Sequence, residues 1–294
     1  MNPIGVRAYD FGKSDPETLA SRIAEAGFET CQLVIPRSIA GMDDLLKLTG
    51  DDIDRIARAF SYENVGISVL GVPEDLSSPD PGESERALAT ELRAIECAQA
   101  LGVPATVSES SLASLSPSQR KEGFPRVAQI VRRAVKYAAA HDVKFTIECF
   151  QPHCVNSPEM FDQLLDAVDG DIHLGLVLDP ANLLSRATLP RQKEIISSWL
   201  SHFAPRIAAI HLKDFTYGKD GKYEPMPLGK GVFDFSPVRE ALSRIPDGTP
   251  LIREELAPDD SWTDICFMKG LSQAQGGGAA EAREQGAPGC GLKG

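Results

Sequence analysis

The chain has 294 residues, 42% hydrophobic and 24% charged, which is ordinary for a soluble globular protein with one large domain or two smaller ones. Its net charge of −12, from 30 basic and 42 acidic residues, leaves no Lys/Arg cluster for a phosphate backbone and argues against nucleic acid or an anionic membrane as partner. Six scattered cysteines without a CxxC pair fit free thiols in a reducing cytoplasm, residues 1–14 lack the pattern of a secretory signal, and no apolar run approaches the roughly 18 residues of a membrane span.

The first apolar run covers residues 4–6. SDPE at 14–17 then reads as a capping box starting a helix that carries Leu19, Ile23 and Ala26 on one face and stops at Gly27. Residues 28–35 are predicted as a second strand, followed by a helix around 51–59. VGISVL at 65–70 is the third strand. The helix after it spans 83–101, with Leu88, Leu92, Ile95 and Ala98 on one side and Gly102 as its stop. Strand four falls at 104–108, and a helix over 125–141 turns Val127, Ile130, Val131, Ala134 and Ala138 inward. Strand five follows at 144–147, and NSPE at 156–159 repeats the capping pattern ahead of Phe161, Leu164, Leu165 and Val168. Strand six covers 173–178, a helix 191–202 and strand seven 207–210. A long loop spans 213–235 before Ser236 and Pro237 begin a helix, and residues 251–253 form strand eight.

Continuous aliphatic and β-branched runs such as LGLVL suit strands buried on both faces of a parallel sheet, and each intervening helix is long enough for a right-handed crossover. An open doubly wound sheet shares that alternation. Eight strands in roughly 250 residues point instead to an α/β fold, a (β/α)8 TIM barrel over residues 1–271. Residues 276–294 are Gly/Ala-rich with no apolar period and cannot bury a face, so 272–294 are set apart as a low-complexity, flexible tail.

Functional side chains of such a barrel project from the C-terminal ends of its strands. TIE ends strand five with Glu148, LGLVLD ends strand six with Asp179, AAIH ends strand seven with His211, and LIRE ends strand eight with Glu254, ahead of Glu255. Singly, these are more simply a surface carboxylate, a turn residue before Pro180, a core histidine and a solvated pair. Together at one mouth, three carboxylates and an imidazole would repel unless a cation sat among them. Oxygen ligands with one nitrogen suit Mn²⁺, Mg²⁺ or Co²⁺ better than a thiolate-seeking metal, with Zn²⁺ as a further candidate. Lys213 is a candidate for stabilising an oxyanion or holding Asp214, His153 for touching substrate hydroxyls, and Lys230 between glycines for meeting a phosphate or carboxylate.

TIE at 146–148, LDPANLL at 178–184, IHLKD at 210–214, PLGKG at 227–231 and LIREEL at 251–256 resemble the xylose-isomerase-like barrels of the sugar phosphate isomerase and epimerase family, over about residues 4–270. The resemblance implies that Glu148, Asp179, His211 and Glu254 hold a divalent metal. It implies a sugar or polyol substrate whose proton is moved through an enediolate by Glu148 and Glu254 as base and acid. Glu109 matches a family position that faces a sugar hydroxyl. Asn182 stands where many members carry a histidine and is assigned with Glu109, His153 and Lys213 to the substrate; Tyr9 also replaces a histidine of several relatives. Such barrels often form homo-oligomers.

The leading expectation is therefore a metal-dependent ketose or sugar phosphate isomerase or epimerase. A lyase using the same metal to dehydrate an inosose or dehydroshikimate-like acid begins with the same proton abstraction, and a barrel that only binds sugar would leave the glutamates idle. A DNA-repair AP endonuclease shares the barrel but requires a histidine-rich trinuclear zinc cluster, which the 5 histidines here do not supply.

Overall fold

The computed structural model describes residues 2–273; of the expected tail only Ser272 and Gln273 fall within them, completing the last helix, and the remainder lies outside the described residues. Eight parallel strands close into a barrel: β1 (Ile4–Arg7), β2 (Thr30–Leu33), β3 (Gly66–Val72), β4 (Ala105–Glu109), β5 (Lys144–Glu148), β6 (Leu174–Leu178), β7 (Ile207–Leu212) and β10 (Leu251–Arg253). Around the ring they run β1-β10-β7-β6-β5-β4-β3-β2, so chain neighbours are also spatial neighbours. The fold is the expected TIM barrel.

Helices α1 (Pro16–Glu25), α3 (Gly50–Tyr62), α4 (Pro81–Leu101), α5 (Pro117–Ala140), α6 (Pro158–Ala167), α7 (Gln192–Phe203), α8 (Ser236–Ala241) and α9 (Ser261–Gln273) surround it; α2 (Ile35–Ser38) is a single turn after β2. Both expected capping boxes shift by one residue. Asp15, not Ser14, accepts from Thr18 N at 2.9 Å, and Ser157, not Asn156, accepts from Met160 N. The reason is the proline: Pro16 and Pro158 are suited to the first helical turn, where no N–H is needed, which makes the preceding residue the cap. Helix α5 begins well before the expected Pro125, because Ser116 and Gln119 close a capping box and carry Pro125 inside the helix.

The core has two layers. Val69, Val107, Val177, Ala209 and Ile252 fill the barrel lumen beneath the mouth, while the larger cluster packs the outward faces of the strands against the helices. The expected loop 213–235 instead holds an antiparallel hairpin, β8 (Asp214–Tyr217) with β9 (Tyr223–Met226), in which Phe215 stacks on Tyr223 with centroids 5.1 Å apart. Asp214 fixes the rest of this segment: its carboxylate accepts from Gly231 N at 2.8 Å and Phe233 N at 3.1 Å. A Cβ at Gly231 would collide with that carboxylate and with the Phe215 carbonyl, so only glycine fits there. Among the described residues no helix is long and apolar enough to cross a membrane, and Cys31, Cys97, Cys149 and Cys154 are free thiols.

Candidate metal centre

Because all eight strands run parallel, their C-terminal ends open on one face, and β5, β6, β7 and β10 are consecutive around the ring. Glu148 is the last residue of β5 and His211 the last but one of β7, and Asp179 and Glu254 directly follow β6 and β10. One ligand atom from each of these residues falls within 4.8 Å of the other three, and all four side chains are buried.

Each is held by its neighbours. Asp179 caps the turn after β6, its Oδ1 accepting from Ala181 N at 2.9 Å and Asn182 N at 3.0 Å, which leaves Oδ2 facing the centre. Glu148 Oε1 accepts from the Asn182 amide at 2.7 Å. His211 Nε2 donates to Gln32 Oε1 at 2.5 Å, and the β2–β3 register shift between Cys31 and Gln32 is the kind of irregularity that re-aims a side chain. The opposite ring nitrogen, Nδ1, lies 3.5 Å from Glu148 Oε2 and 3.3 Å from Glu254 Oε1, yet makes no hydrogen bond of acceptable angle. Glu254 enters the cluster. Glu255 does not: its φ of +58° reverses the side-chain direction, and its carboxylate accepts from the Tyr223 hydroxyl on the hairpin.

Lys213 occupies the middle of this group. Its Nζ lies 2.8 Å from Asp179 Oδ2, 2.9 Å from Glu254 Oε2 and 3.1 Å from Asn182 Oδ1. It does not reach Asp214, which is committed to the loop after the hairpin. Burial raises the carboxyl of Asp179 to about 6 even against Lys213. For Glu254 burial acts the same way, but Lys213, His211 and Arg7 outweigh it and hold its carboxyl far below the usual range. Burial would lower His211; Glu254 and Glu148 reverse that and push it up to about 9. The three carboxylates thus hold a proton on the imidazole at neutral pH, in the place where a metal would be ligated.

The donor set fits a divalent cation. Three hard carboxylates converge with an imidazole whose Nδ1 lacks a hydrogen bond and whose Nε2 is already fixed by Gln32, the second contact expected of a ligating histidine.

The mouth above the cluster is a cavity of about 290 Å³ lined by Arg7, Tyr9, Gln32, Arg37, Glu109, Glu148, Asn182, Lys213, Glu254 and Glu255, among others. Glu109 pairs in register with Glu148. Burial, then Glu148 and Glu254, push its carboxyl up to about 7. His153 sits beside it, Nδ1 3.2 Å from Glu109 Oε2, and burial lowers the imidazole to about 4. Asn182 and Lys213 reach the cavity but are bound into the ligand cluster as well. Lys230 is exposed and does not line the mouth. Sequence reasoning passed over Gln32, Arg7 and Arg37. Gln32 is a polar residue inside the buried run TCQLVI, and Arg7 ends β1, the same strand-end signal that marked Glu148.

Over residues 20–269 the chain matches the sequence family described as xylose isomerase-like TIM barrel. No curated protein sequence matches it. Among solved structures, the D-psicose 3-epimerase of Clostridium cellulolyticum H10 with D-tagatose superposes with a TM-score of 0.71 at 15% identity, covering 92% of this chain and 99% of that one. A xylose isomerase-like TIM barrel protein from Mycobacterium smegmatis in complex with magnesium gives 0.69 at 18% identity, covering 93% and 98%. The IOLI protein with a binding zinc atom gives 0.70 at 16%, covering 93% and 99%. At these identities the likeness is one of fold.

Proposed function

We propose, from the premise that the chain belongs to the xylose isomerase-like TIM barrel family, that it is a divalent-metal-dependent isomerase or epimerase of a ketose or related sugar. The observation that carries this reading is the placement of His211 Nδ1 between Glu148 and Glu254, with Asp179 completing four buried ligand atoms within 4.8 Å. Sugar epimerases among the structures of like fold, and others described with magnesium or zinc, support it. Mn²⁺, Mg²⁺ or Co²⁺ is the expected ion for this oxygen-rich set. Free thiols agree with a reducing, cytoplasmic setting.

When bound, the ion supplies a Lewis acid beside the substrate carbonyl, which acidifies the neighbouring C–H. Glu148, Asp179, His211 and Glu254 hold it. Glu148 and Glu254 approach the centre from separate strands, so one carboxylate removes a proton from carbon and the other, protonated, returns one to the adjacent carbon or the opposite face. Asn182 orients Glu148 through its amide hydrogen bond. Lys213 lies between Asp179 and Glu254 and keeps their oxygens convergent. Glu109 faces the cavity as a partner for substrate hydroxyls, and His153, buried behind it with Nδ1 3.2 Å from Glu109 Oε2, supports that carboxyl without lining the mouth.

The test is deuterium incorporation from D₂O into a panel of ketoses. Glu148→Gln and Glu254→Gln are each expected to abolish it while the barrel stays folded. Near-full exchange in either variant refutes the two-glutamate mechanism, and loss of water in place of exchange would turn the reading to a dehydratase.

A further inference from the structure

The carboxylates of the metal cluster lie on the β5–β6–β7–β10 side of the mouth with Lys213 among them, and two arginines, Arg7 and Arg37, line the β1–β2 wall. Arg37, in the turn after β2, stands half-way round the ring from Asp179 after β6. It is exposed and lines the cavity.

Two guanidinium groups share one aromatic ring on that wall. Arg7 Cζ lies 4.4 Å from the Tyr9 centroid and Arg37 Cζ 5.7 Å from it. They differ in how their charge is met. Arg7 is pinned by Asp10 through bonds of 2.9 and 2.7 Å, and it lies 3.6 Å from Glu254. Arg37 forms no ion pair with any carboxylate among the described residues, whereas the exposed Arg55 and Arg191 each pair with a glutamate. The Tyr9 ring limits the orientations open to the Arg37 side chain, so less freedom is lost when a ligand binds it.

We propose that Arg37, positioned over Tyr9, binds an anionic group of the substrate, a phosphate or a carboxylate, remote from the carbons at the metal cluster. Neutral sugars need donors and acceptors but no uncompensated cation, whereas the guanidinium fork matches both anions. Arg37 would draw the anionic tail to the β2 side, which leaves the carbonyl end toward the cluster.

This inference rests on the mouth being the substrate cavity, and it is tested by binding, which needs no turnover. D-Fructose, D-fructose 6-phosphate and D-fructuronate differ only at the terminal carbon. Calorimetric titration of the full chain, with and without Mn²⁺, is expected to show at least one of the two anionic ketoses binding about tenfold or more tighter than D-fructose, as a charge-assisted hydrogen bond requires. The tighter of the two identifies phosphate or carboxylate as the group recognised. Arg37→Gln is expected to shrink that preference to about twofold, and Arg37→Lys, which keeps the charge but loses the fork, to leave it in between. Arg37 is exposed, so melting curves should show all variants folded. Equal affinity for all three sugars, no measurable binding of either anion, or an unchanged preference in Arg37→Gln overturns the proposal. Deuterium exchange into the same sugars reports separately on proton transfer, so either reading can fail while the other stands.

Discussion

Replacing Lys213 with methionine removes the ammonium that lies 2.8 Å from Asp179 and 2.9 Å from Glu254 while keeping a side chain of similar length. All three groups are buried, so the substitution leaves two carboxylates without their nearest cation. Breaking a buried ion pair in this way costs about 3–5 kcal/mol. For a chain of this size roughly 2–4 °C of melting temperature is lost per kcal/mol, so Lys213→Met in chelator should melt about 6–20 °C below the parent. Asp179, already raised to about 6 by burial, can take up a proton and soften the loss, so the deficit should be larger at pH 8 than at pH 6. Mn²⁺ restores positive charge among the same oxygens. Its stabilising increment, about 2.7 kcal/mol at a hundredfold excess over Kd, should therefore appear at lower Mn²⁺ concentration in the variant than in the parent. The assay is thermal melting by circular dichroism in chelator and across a Mn²⁺ titration. A variant that melts with the parent in chelator, or that responds to Mn²⁺ at the same concentration, would refute Lys213 as the internal counter-ion of the cluster.

Glu91, fully buried on α4, accepts from Ser108 Oγ at 2.5 Å through one oxygen and has no partner among the described residues on the other; burial pushes its carboxyl from 4.5 up to about 8. Between those values the unfolded chain loses this proton before the folded one, so stability should fall as pH rises from about 4.5 to 8, by an amount on the order of 5 kcal/mol, and Glu91→Gln should remove that fall. Urea titrations at pH 5 and pH 8 measure it; identical pH dependence in the two proteins contradicts it. Asp264 on α9 binds Arg253 Nε at 2.5 Å and Leu228 N at 2.7 Å, both from segments adjoining the mouth. Asp264→Ala strands a buried guanidinium next to Glu254 and should cost about 3–5 kcal/mol in the same titration. A loss below about 1 kcal/mol would mean that the backbone carbonyls around Arg253 suffice.

The strand ends were legible because a parallel strand buried on both faces is a run of aliphatic residues, and the first charged residue after it marks the mouth. TIE, LGLVLD and AAIH each stop in that way, and LIRE does so one residue later, since Arg253 turns outward to Asp264 on α9 and Glu254 follows it. The cap positions were legible only to within one residue, since a Ser or Asn two places before a proline looks like a cap until the proline claims the first turn. The hairpin of Asp214–Tyr217 and Tyr223–Met226 was hidden because both strands are short and Pro225 interrupts the second run, and what holds the segment is the Asp214 carboxylate reaching Gly231 and Phe233 across the loop. The arginines of the β1–β2 wall were missed for another reason. Arg7 and Arg37 lie near the ends of β1 and β2, far along the chain from the acidic strand ends, and Tyr9 joins them only once the barrel closes. No spacing in the sequence encodes that meeting.

Glu148, Asp179, His211 and Glu254 are proposed to form one divalent-metal site. Its most direct test is metal content by mass spectrometry after equilibrium dialysis of the metal-stripped chain against Mn²⁺. About one ion per chain is expected, with Asp179→Asn and His211→Ala each losing most of it. Less than about 0.2 ions per parent chain, with no gain in melting temperature on adding Mn²⁺, would contradict it.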